Sequence, residues 1–96
     1  MRSCYTLEGK TPIRCEDNAA WKSWLSSCGN ARIVGDAGLG GARVLTEFLG
    51  THENHFGAPL LFETSVKGGR LDGMVERYAT WEEAEQGHLE IIQKAR

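Results

Sequence analysis

The sequence predicts a small α+β domain: an antiparallel β-meander of three or four strands, with one helix from the N-terminal half and a second, C-terminal helix packed on the sheet. Three observations carry this. Segments between residues 42 and 79 alternate apolar and polar side chains with period two, as half-buried strands do. Residues 81–95 place their apolar side chains at helical spacing behind a start signal. The chain has 96 residues, so residues 1–96 read as a single domain.

Taken in order, Cys4 to Leu7 reads as a short strand and Glu8-Gly9-Lys10 as a turn. Thr11-Pro12-Ile13 continues extended, because Pro12 restricts the residue before it. Residues 18 to 28 read as a helix: Trp21, Trp24, Leu25 and Cys28 share one face, Asp17 is the N-cap, and Gly29-Asn30 is the stop. Ala31–Asp36 and Ala42–Leu49 are strands joined by a glycine-rich turn. A strand from Pro59 to Lys67 follows, then one from Asp72 to Ala79. In the last helix Thr80 and Glu83 form the pattern of a capping box, and Trp81, Ala84, His88, Ile91, Ile92 and Ala95 trace its buried stripe.

Composition excludes several classes of function. Hydrophobic residues are 41% and charged residues 25%, as in an ordinary globular protein. The net charge is −2, with no basic block, and the acidic excess lies in the second half. Binding to nucleic acid by counterion release needs clustered Lys and Arg, so no direct nucleic-acid partner is expected. No apolar run approaches the roughly 20 residues of a membrane span, and no signal peptide opens the chain. The expected setting is the cytoplasm of a bacterial host. Cys4, Cys15 and Cys28 lack C-x-x-C spacing and read as free thiols there.

The second half carries Val44-Leu45-Thr46-Glu47-Phe48-Leu49-Gly50, Pro59-Leu60-Leu61-Phe62-Glu63-Thr64, Leu71-Asp72-Gly73 and Arg77-Tyr78-Ala79-Thr80, followed by Glu83-Ala84 and Gly87-His88. This string resembles a family of small uncharacterised phage and prophage proteins. It covers about residues 42 to 93, with weaker echoes in Gly9, Pro12-Ile13 and Trp21. The resemblance implies a phage or mobile-element origin and assigns no activity to any residue.

The candidate sites are few. Gly35-Asp36-Ala37-Gly38-Leu39-Gly40-Gly41 looks superficially like a phosphate loop, but a strand follows it, not the helix such a loop needs. It reads as a hairpin turn. His52-Glu53-Asn54-His55 is the most chemically suggestive stretch: two imidazoles three apart and a carboxylate. The favoured reading is a recognition loop from Thr51 to Gly57, with His52, Glu53, His55 and Phe56 as contacts and Arg70 of a nearby turn as a further one. The alternative is a metal site on His52 and His55 with Glu53 as third ligand or base. His88 lies on the apolar stripe and reads as structural, with Glu76 or Tyr78 as its partner. Glu47 and Glu63 would repel if paired directly, so they are expected near Arg43 or Arg77 on the solvated face.

These readings converge on a non-enzymatic accessory protein that binds a host or phage protein, for example an inhibitor of a bacterial defence system such as an anti-CRISPR. The competing class is a small metal-binding module or metal-dependent enzyme. No cofactor is expected, and a homodimer would cover one sheet face.

Overall fold

Inward-facing side chains of two neighbouring strands set the architecture. In a computed structural model, which describes residues 3–52 and 57–96, strands β4 (Ala42–Phe48) and β6 (Phe62–Lys67) pair antiparallel with Val44 opposite Val66, Thr46 opposite Thr64 and Phe48 opposite Phe62. All six side chains are buried. They form an aliphatic, a hydroxyl and an aromatic row along one face. Strands β3 (Ile33–Leu39) and β7 (Val75–Tyr78) flank them and complete a four-stranded antiparallel meander in the order β3-β4-β6-β7.

Helix α2 (Trp81–Ala95) closes this face with Ala84, Gly87, His88 and Ile91. Its start follows the sequence: the Thr80 hydroxyl accepts from the Glu83 amide at 3.1 Å and donates to the Glu83 carboxylate. Ile91 packs on the aliphatic row and Ala84 on the aromatic row, so the core divides into two apolar clusters.

The N-terminal segment builds a second antiparallel sheet. Strands β1 (Ser3–Glu8) and β2 (Thr11–Cys15) form a hairpin, and the two-residue strand β5 (Thr51–His52) pairs with the other edge of β1. Helix α1 (Asn18–Ser27) packs on β1, capped by the Asp17 carboxylate and tied by the Trp21 indole N–H donating to the Tyr5 carbonyl at 3.1 Å. The two halves meet through rings. Trp24 stands edge-on to Phe48, Phe48 leans on Phe62, and Phe62 meets Trp81 edge-on, with successive centroids 5.3 to 6.1 Å apart.

Several boundaries differ from the expectation. Ile33–Leu39 is strand through most of the glycine-rich segment, and the turn shrinks to Gly40-Gly41. Gly29–Arg32 forms a 3₁₀ turn in place of the expected strand start. The expected strand from Asp72 to Ala79 is only Val75–Tyr78, because Asp72 accepts from the Gly68 amide and organises a turn. Thr51 and His52 belong to a strand, not a loop.

Phe48 is fully buried where the two halves meet. Phe48→Ala should therefore cost about 3–5 kcal/mol. Urea denaturation monitored by tryptophan fluorescence should show one transition at a much lower midpoint. A loss below about 1 kcal/mol would mean that the ring is not the joint described.

Candidate functional site

His52 sits in β5 opposite Ser3 and is half-buried. Glu53, His55 and Phe56 lie outside the described residues. Arg70 is exposed in the turn between β6 and β7, and its guanidinium donates to the Lys94 carbonyl at the end of α2. That turn borders Gly41 at the start of β4, whereas His52 follows the end of β4. The structure therefore sets Arg70 and His52 at opposite ends of the meander. Among the described residues no group of three His, Cys, Asp or Glu side chains is placed to hold a metal.

What the fold does assemble is a chain of polar side chains running from the core to the surface. His88 is only 8% exposed, and its Nδ1 lies 2.7 Å from the Thr46 hydroxyl. Thr46 bonds to Thr64 across the strand pair. These bonds occupy both threonine hydroxyls and one ring nitrogen of His88. Beside Thr64, the phenol of Tyr78 donates to Glu76 at 3.2 Å. The expected partners of His88, Glu76 and Tyr78, are replaced by Thr46, and those two residues stand at the far end of the same chain.

The other ring nitrogen, Nε2, faces Gly35. A Cβ on Gly35 would lie 2.5 Å from it, so only glycine fits against the ring. Burial pushes the His88 pKa down, opposed by the Asp36 carboxylate. Asp36 is itself engaged, because Arg43 donates to both of its oxygens at 2.8 and 2.9 Å and holds its pKa low. Burial raises the Tyr78 pKa, the contact with Thr64 opposes this, and the Glu76 charge adds to it.

Outside the core, Tyr78 forms one wall of a groove between β7 and α2. Glu76, Glu82, Glu83, Gln86, Gly87 and Glu90 line the rest, and the groove is shallow and open, with a volume of about 480 Å³. The Tyr78 ring lies so close to Gly87 that a Cβ there would sit 2.4 Å from it. Sequence reading had treated Glu76 and Tyr78 only as possible partners of His88. The four-residue spacing of Glu82, Gln86 and Glu90 on one helix face was the available signal.

On the opposite, open face of the meander, Glu47 and Glu63 lie where expected and Arg77 meets Glu63, but the expected avoidance of direct pairing does not hold. They are direct cross-strand partners. Arg32 approaches Glu47 at 3.7 Å and Arg77 holds Glu63 at 2.9 Å, one cation from each flank, which offsets the repulsion. Arg43 serves Asp36 instead.

Comparison with protein-family models, with curated proteins and with solved structures finds no match to this chain.

Two outcomes follow. The depressed His88 pKa means that the folded state favours the neutral ring, so its contribution is complete above the unfolded value of about 6.5. Stability should fall as pH drops below that value, and His88→Leu should flatten this part of the pH profile in thermal melts. An unchanged slope in the variant would remove His88 as the group responsible. Gly35→Ala should destabilise by about 1–3 kcal/mol. In an His88→Ala background the same substitution should cost far less, a coupling measurable by a double-mutant cycle.

Proposed function

We propose that this chain is an accessory protein of phage or prophage origin that works by binding another protein, and that the partner presents a basic segment to the groove between β7 and α2. The groove itself carries this reading. Four carboxylates surround a tyrosine hydroxyl in a concave site of about 480 Å³, a fit for Lys or Arg side chains. β7 ends the sheet, so its outer backbone edge is open to an added strand, and Val75 on it is 53% exposed. An extended basic segment along β7 would bond to this edge while its side chains reach the carboxylates. The net charge of −2 favours the encounter. The phage setting rests on the resemblance across residues 42 to 93, and inhibition of a bacterial defence system is the role such a small binder would serve.

The test compares retention of host proteins by the wild type and by a Glu82→Gln, Glu90→Lys variant whose melting temperature is checked first. The reading expects a retained protein that the variant loses and that a Lys- and Arg-rich peptide displaces. High salt should displace it too. His52→Ala and Arg70→Ala should leave retention intact. Loss of the partner in those two variants with full retention by the groove variant would move the binding surface to the Thr51–Gly57 loop and the Arg70 turn. Retention unaffected by any of the changes would end the proposal.

A further inference from the structure

We propose that Cys4 and Cys15 form a reversible thiol–disulfide site at the base of the N-terminal hairpin. The two residues are direct antiparallel partners in β1 and β2. Residues in that relation project to the same face, with Cα atoms about 4.5 or 5.5 Å apart, inside the span of about 4.4–6.8 Å that a disulfide bridges. Both sulfurs turn to the start of α1. Cys4 Sγ lies 3.8 Å from the Asn18 side-chain oxygen, and Cys15 Sγ lies 3.4 Å from the Asp17 carbonyl. All three cysteines are free thiols in the structure.

The kind of bond follows from the register. Pro12 has no N–H, so its pairing with Leu7 is the non-hydrogen-bonded type. Pair types alternate along an antiparallel ladder, which makes Thr6–Ile13 hydrogen-bonded, Tyr5–Arg14 open and Cys4–Cys15 hydrogen-bonded. The Tyr5 amide agrees, since it points away from β2 and donates to the Gly50 carbonyl at 2.7 Å. A hydrogen-bonded pair holds its side chains wider apart than an open one. Closing the bond brings the two Cβ atoms closer, and with Cys15 partly exposed the bond is of the readily reversed kind. Cys15 is the last residue of β2.

The oxidant is a small-molecule disulfide of the glutathione class. Cys15 is more exposed than the buried Cys4, so its thiolate attacks first, forming a mixed disulfide and releasing one small thiol. The Cys4 thiolate then attacks the Cys15 sulfur and releases the second. Two cysteine thiols are oxidised, one external disulfide is reduced to two thiols, and the two cysteine protons end on the released thiols. Cys28, half-buried at the far end of α1, takes no part.

The test equilibrates the folded, reduced chain with glutathione disulfide, alkylates the remaining thiols and maps the peptides by mass spectrometry. The expected product is a Cys4–Cys15 link with Cys28 alkylated, reversed by reduced glutathione. Cys28→Ser should give the same link, and Cys4→Ser should stop at a glutathione adduct on Cys15. A link through Cys28, a link between two chains, a lasting adduct on Cys15 in the wild type, or three unmodified thiols would each overturn the assignment.

Discussion

The buried layer of Thr46, Thr64 and His88 is the constraint on which the rest of the fold depends. It lies between two apolar clusters on the inner face of the meander. Apolar contacts tolerate small shifts, whereas a buried hydroxyl or imidazole that loses its partner costs about 1–3 kcal/mol. Slipping β4 against β6 by one residue would turn Thr46 to the open face and strand Thr64 in the core. Shifting α2 along the sheet would take His88 off Thr46. The aliphatic and aromatic rows supply the burial, and the polar layer makes one register the only satisfied one.

Tyr78 carries this constraint to the surface. Its ring lies against the α2 backbone at Gly87, and its hydroxyl donates to Glu76 in the groove. Helix α2 thereby has two committed faces. One is small and apolar with a single imidazole, packed on the sheet; the other presents Glu82, Gln86 and Glu90 to the groove. The same two glycines that look like weak points in a strand and a helix, Gly35 and Gly87, are where the His88 and Tyr78 rings approach the backbone.

How much of this was legible in the sequence depends on the range of the interaction. The Thr80 N-cap of α2 and the Asp17 cap of α1 are local and stand as read, while the Glu83 carboxylate reaches the Thr80 hydroxyl and not its amide. The alternation of Val44, Thr46 and Phe48 gave the buried face of β4 because the period survives without knowledge of the partner. The burial of His88 followed from its stripe, but its partner Thr46 lies 42 residues away and left no local trace. Pairing of Cys4 with Cys15 was equally hidden, since cysteine spacing alone says nothing of strand register. The direct Glu47–Glu63 pair ran against a sound rule about like charges, and the compensating cations came from segments beyond either strand. Of the expected recognition residues, Glu53, His55 and Phe56 fall outside the described part of the chain, so their contribution is not part of the site drawn here.

Charge placement separates the two outer surfaces of the meander. On the open sheet face each carboxylate already has its cation: Asp36 has Arg43, Glu47 has Arg32 and Glu63 has Arg77. A basic partner approaching there would have to compete with these intramolecular pairs, and an acidic one would face the same carboxylates. Around the groove the pattern differs. Glu76 accepts from a phenol, Glu83 from a threonine hydroxyl and Glu90 from the Gln86 amide, and among the described residues none of them is ion-paired. Neutral donors cancel none of the carboxylates' negative charge. A cation would therefore meet carboxylates without a cationic partner among the described residues in the groove, and already paired ones on the open face.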